Sequence, residues 1–144
     1  MILRRAKISD SKLFFILRNQ SDTRKFSINK NKIPHEKHER WYELNFQKKN
    51  NFFFVIVFKN KDVGYLRLKK KQKFYYVSIC VSKHFRKFNI AFKTLSSLSR
   101  YIKKNKILIA EIDLKNISSI NLFIKSGFKV KMLKKNNLTM IKKI

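Results

Sequence analysis

Two short stretches hold residue types that could do chemistry on a phosphorylated ligand. In the first, Arg86-Lys87-Phe88-Asn89-Ile90-Ala91, a basic segment ends where an amphipathic helix begins. The first N–H groups of a helix lack backbone acceptors, and the helix dipole favours an anion there. Arg86 and Lys87 add charge. Asn89 is the residue type that, after glycine, best tolerates a left-handed backbone, and Ala91 is small enough for close approach. Locally, the loop fits a capped basic turn as well as a phosphate site. The second stretch is NISSINLFIKSGF, Asn116 to Phe128. Asn116 directly follows a strand, where its amide can cap a helix or face a ligand. Ile117, Ile120 and Ile124 form an expected core stripe, and Gly127 supplies the helix stop.

Other reactive types weigh less. His35 and His38 are three apart, whereas a zinc-protease helix needs four, and no His or Cys cluster accompanies them. No metal is expected. Cys80 is the single cysteine, so no internal disulfide forms, which fits a reducing, cytoplasmic setting. It lies in a strand without an evident base and reads as a buried structural thiol. Trp41 and the Tyr75-Tyr76 pair could stack bases, but alternating aromatics in a strand read as core.

The elements that must position these residues follow from periodicity. With 144 residues, 44% of them apolar, the chain has the length of one domain, 1–144, with a core of its own. Met1 to Lys7 reads as a strand, and Ser9 or Asp10 caps a helix with Leu13, Ile16 and Leu17 on one face. A polar, mobile connection, LRNQSDTRKFSINKNK, leads to Pro34, which opens a helix placing His38, Trp41, Tyr42 and Asn45 together. NFFFVIVF, VGYLRLK and FYYVSICVS form an antiparallel meander. The helix after Asn89 places Ala91, Leu95, Leu98 and Ile102 along one stripe. KILIAEIDL, the Asn116–Lys125 helix, FKVKML and LTMIKKI complete the chain. The strand-helix alternation from Phe74 onward implies parallel crossovers, giving a mixed α/β sheet with helices on both faces.

The net charge of +28 points to an anionic partner: nucleic acid, membrane surface or phosphorylated ligand. Lys, Asn, Ile and Phe are abundant throughout, as an A/T-rich coding sequence would produce, and phosphate recognition favours Arg over the prevailing Lys. Coding bias is the favoured reading of the charge over a nucleic-acid role. Nucleic acid is not the expected partner, and no segment has the apolar length to span a membrane.

Taken as an ordered pair about 30 residues apart, the two stretches resemble the GNAT acyltransferase family, which binds acetyl-coenzyme A. That family's R-x-x-G-x-G/A loop is matched by Arg86 to Ala91, with Asn89 in place of the first glycine. Its N-x-x-A/S-x-x-L-Y/F-x-K-x-G-F pattern is matched by Asn116, Ser119, Leu122, Phe123, Lys125, Gly127 and Phe128. The resemblance covers essentially the whole chain and implies a sheet of about seven strands with about four helices. The N-terminal half, LRNQSDTRKFSIN followed by IPHEKHERWY, resembles members that acetylate amino-sugar nucleotides of surface or flagellin (pseudaminic acid type) sugars, through Glu36, His38, Trp41 and the S-I-x-V run Ser78–Val81.

The resemblance implies direct transfer of acetyl from the coenzyme thioester to a primary amine. Cofactor contacts would come from Ile79, Cys80, Val81, Arg86, Lys87, Phe88, Asn89, Ile90, Ala91, Asn116, Ser119 and Phe123. Acceptor contacts would come from Arg18, Asn19, His38 and Trp41. A backbone N–H near Cys80 and Val81 would stabilise the oxyanion. Where many relatives carry a glutamate base this strand offers Ser78, and Phe123 replaces a proton-donating tyrosine. That leaves His38, or Glu39 or Glu111 through water, to take the amine's proton. A monomer or homodimer is expected. Two further readings remain: a protein or peptide N-acetyltransferase of the same fold, and a non-enzymatic basic protein binding nucleic acid.

Overall fold

The computed structural model describes residues 1–144 and contains one seven-stranded sheet. Strands β1 (Ile2–Arg5), β2 (Asn51–Phe58), β3 (Lys61–Lys71) and β4 (Phe74–Val81) pair antiparallel in that order. The β2–β3 turn has two residues, Lys59 and Asn60, both at positive φ (50° and 59°). This is the backbone that lets a two-residue turn match the twist of a hairpin. The charged turns and buried strand centres agree with the meander read from the sequence.

β4 then pairs parallel with β5 (Ile107–Asp113), but only from Phe74 to Tyr76. Beyond Tyr76 the two strands separate. β7 (Asn137–Lys143) lies antiparallel beside β5, and β6 (Lys129–Lys134) forms the far edge. The expected succession of parallel crossovers is thus realised once between neighbours. The second crossover brings β6 back in the direction of β5, but the terminal hairpin inserts β7 between them.

Helices α1 (Ser11–Arg18), α2 (Ser21–Lys25) and α3 (His35–Phe46) belong to one face; α4 (Ile90–Ser97) and α5 (Ile117–Lys125) cover the other. The larger core joins Ile90, Leu95, Leu98 and Phe123 to Ile56, Leu66, Leu108 and Met140. The smaller stacks Phe14 on Tyr65 (4.5 Å) and against Tyr42 and Phe53. Burial of each such side chain contributes roughly 1.5–3 kcal/mol. No helix is long and apolar enough to cross a membrane.

Three local expectations are corrected. In α1 the buried residues are Ser11, Phe14 and Leu17, while Ile16 is exposed. In α5 two members of the expected stripe, Ile117 and Ile124, face solvent at 59% and 53% exposure, while the third, Ile120, packs on the core beside the buried Phe123. The cause is the helix stop. Phe128 N–H closes on Phe123 C=O (3.0 Å), Gly127 N–H closes on Ile124 C=O (2.9 Å), and φ of Gly127 is +86°. That closure packs the Phe123 and Phe128 rings edge to face at 4.8 Å and fixes which side of α5 turns inward. Third, the 19–34 connection contains a fifth helix, α2, and is pinned. The Asn19 carboxamide donates to Ile33 C=O (3.0 Å) and accepts from Ile33 N–H (2.9 Å). Arg18 and Arg24 donate to the carbonyls of Asn29 and Lys30.

Candidate functional site

Where β4 and β5 part, a cavity of about 1110 Å³ opens and extends between α4–α5 on one side and α1–α3 on the other. Its floor is main chain. Ile107 N–H donates to Lys73 C=O (3.1 Å), so Lys73 faces β5, whereas Ser82 N–H turns the other way, to Val63. Strand alternation sends the N–H groups of Ile79 and Val81 toward the gap and that of Cys80 toward β3. Cys80 therefore offers no donor there. Its thiol lies 3.5 Å from Thr23 Oγ1, buried, and burial pushes its pKa up, so it is a structural thiol.

At one end of the cavity stands the Asn89 turn. The segment before it winds into a 3-10 helix, Lys83–Phe88, and Asn89 ends that turn at φ +56° in the left-handed region. The reversal starts α4, and Ala91 and Asn89 both line the cavity. Asn116 caps α5 by accepting Ser119 N–H at 3.2 Å, and both residues face the same space, as does Phe123. Lys87, Phe88 and Ile90 do not send side chains into it. Ile90 is core, and Phe88 packs outward on Phe58 at 5.3 Å. Arg86 lines the cavity but is already engaged, through Nε to Val81 C=O (3.1 Å) and through Nη1 to Asp22. Burial alone would raise the Asp22 pKa, but Arg86 outweighs it and the carboxyl stays below its ordinary range.

At the other end are His38, Trp41, Arg18 and Ser78. His38 is 3% exposed and lies among Phe15, Trp41 and Tyr42. Burial lowers its pKa from the ordinary 6.5, so the ring is neutral near pH 7, and its Nδ1 has no partner. Asn19 does not reach the cavity, since Ile33 occupies its amide. Glu39 points to Ser11 and His35. Ala110 and Ile112 are core on the α4–α5 face, so Glu111 between them projects from the opposite, α1–α3 face, where it lines the cavity.

Two residues escaped the sequence reading, Tyr65 and Arg67, both on β3 and both in the cavity wall. Arg67 pairs in register with Ser78, and its guanidinium carbon lies 5.1 Å from the Trp41 ring centre. Desolvation lowers its pKa. Burial raises that of Tyr65, which stays a neutral phenol. The signal was present in VGYLRLK. Leu66 and Leu68 claim one face of the strand, leaving Tyr65 and Arg67 on a face that helices must cover.

No group of His, Cys, Asp and Glu is arranged to hold a metal ion. The sequence model of the acetyltransferase (GNAT) domain matches residues 1–129. A search of curated proteins finds no match. Among solved structures, a domain from Methanocaldococcus jannaschii superposes with a TM-score of 0.85 at 22% identity, covering 99% of this chain and 97% of that one. The ribosomal-protein-alanine N-acetyltransferase from Brucella melitensis gives 0.79 at 21%, covering 100% of both. The spermidine N-acetyltransferase from Vibrio cholerae, in complex with CoA and spermine, gives 0.79 at 12%, covering 99% and 94%. These likenesses show the fold.

Proposed function

This chain belongs to the GNAT acetyltransferase family, and from that premise we propose that it transfers acetyl from acetyl-coenzyme A to the primary amine of an amino-sugar nucleotide. The observation that carries the reading is the parting of β4 and β5 after Tyr76, which joins the Asn89 turn to the His38–Trp41 wall through one cavity. The residues at the turn fit a diphosphate. Asn89 supplies the left-handed bend, the first N–H groups of α4 stay free of intrahelical acceptors, and Ala91 leaves room for close approach. When bound, the thioester supplies an acetyl group activated toward amines.

The chain's own groups do the rest. With the thioester bound, the N–H of Ile79 or Val81 would donate to its carbonyl oxygen, a preorganised contact that commonly contributes about 3 kcal/mol. His38, through the Nε2 that unlike Nδ1 is not sealed, or Glu111 through water accepts the amine's proton, while Glu39 faces away. Water would supply the proton taken up by the departing coenzyme thiolate. Arg18, Lys32 and Lys37 line the acceptor end and would repel a polycation while favouring a phosphorylated acceptor. The L-R-N and E-x-H-x-x-W matches of the N-terminal half support the same acceptor. A single unpaired cysteine accords with a cytoplasmic enzyme.

Thermal denaturation with coenzyme A tests the reading. A saturable rise in Tm is expected, with Arg86→Glu shifting the midpoint at least tenfold. A flat response at millimolar ligand would overturn it. Consumption of acetyl-coenzyme A with UDP-linked amino sugars, peptides and spermidine then ranks the acceptors.

A further inference from the structure

Arg67 is a guanidinium near the centre of a sheet, flanked by β2 and β4, and it has no carboxylate partner. The four ion pairs of the protein join Arg4 to Asp10 and to Asp62, His35 to Glu39, and Arg86 to Asp22. Arg67 makes no hydrogen bond, and its nitrogens are not sealed off, so its donors open onto the cavity. Its one close partner is the Trp41 ring. Across the same wall Arg18 holds a buried Nη1 that is also without an acceptor, and both guanidiniums act on the Tyr65 phenol. A half-buried cation is costly unless something compensates it, and a planar fork grips two oxygens of one anion.

We propose that Arg67, backed by Trp41 and flanked by Arg18, is the acceptor-anion subsite: it binds a phosphate or carboxylate carried by the amine substrate. This deepens the acetyltransferase reading above and rests on it. The register gives the geometry. Arg67 stands directly opposite Ser78, whose strand presents the Ile79 and Val81 donors. Opposed side chains on neighbouring strands sit roughly 5 Å apart at Cβ. The anion is therefore held on the face of the sheet that Arg67 and Ser78 share, and the acceptor carries both the anion and the amine. Neutral amines and polycations lack the group Arg67 grips.

Trp41 is the only tryptophan, so its emission reports on this subsite. The experiment titrates the protein, saturated with coenzyme A, with uridine diphosphate in one arm and glutarate in the other. A saturable change in Trp41 emission below about 10 mM is expected in at least one arm, and the responding arm tells phosphate from carboxylate. Arg67→Met and Arg67→Gln should raise the midpoint at least tenfold, with Arg67→Lys in between, while the coenzyme A-induced rise in Tm is unchanged. No saturable change in either arm, or equal midpoints in wild type and the folded Arg67 variants, would overturn the proposal. Loss of the coenzyme A response alone would count against the acetyltransferase reading, and the Arg67 comparison could still be made without coenzyme.

Discussion

At the Asn89 end of the cavity, the groups left without partners are the first main-chain N–H groups of α4, and the nearby side chains serve other purposes. Asn116 caps a helix, Ile90 fills the core, and Arg86 is tied to Val81 and Asp22. At the Arg67 end the relation reverses, because side chains from α1, α3 and β3 face the cavity with polar atoms left over. The first end can tolerate substitution wherever the φ of Asn89 and the positive charge of Arg86 are preserved. The second depends on which residues the fold brings together. On the proposed reading, the loop needs no glycine for a diphosphate, because the bend takes one left-handed residue and Asn89 provides it.

Perturbations should separate the two ends, and the largest effect is expected in the strand that serves both. A Cβ on Gly64 would meet Cys80 O at 2.5 Å and Val81 Cα at 3.2 Å, both backbone atoms of the cavity wall. Gly64→Ala should cost about 3 kcal/mol and abolish acetyl transfer, lowering Tm by roughly 10 °C in a thermal scan. A Tm within a degree or two of wild type would mean that the wall strand yields easily. Next comes the backbone rule at the turn. Asn89→Val places a β-branched residue at φ +56° and should cost about 1–3 kcal/mol with most of the coenzyme A affinity. Asn89→Gly should retain that affinity, and equal losses in the two variants would show that the Asn89 side chain matters.

The smallest effect belongs to the side-chain end. Burial holds the His38 imidazole below the ordinary 6.5, so the unfolded chain takes up a proton there that the folded chain resists. Its contribution is fully present above about pH 6.5 and is lost as pH falls from there toward the lowered folded value. Chemical denaturation between pH 7.5 and 5 should show this slope in the wild type and a flatter one in His38→Phe. Parallel slopes would mean that the imidazole is solvated after all.

The two ends were also unequally legible in the sequence. The Asn89 turn, the Asn116 cap and the Gly127 stop are local devices, and each stands where its residue type suggested. So do the meander and the two helices around the cavity. The inward face of α5 was not legible, because Ile117, Ile120, Leu122, Phe123 and Ile124 leave two faces apolar, and only the Phe128 closure selects between them. The 19–34 segment looked mobile because its order comes from side chains bonding to main chain 14 residues away, as in Asn19 to Ile33. Arg67 went unnoticed for a related reason. Its meaning depends on register with Ser78 and contact with Trp41, and neither is visible in one strand read alone.

The three-residue seam from Phe74 to Tyr76 has a mechanical consequence. A sheet fastened at one end behaves like a pair of jaws on a short rivet: strain at the mouth is levered onto three backbone pairings and the Lys73–Ile107 bond. Any molecule lying lengthwise between the jaws would act as a splint, bridging two strands where no backbone pairing joins them.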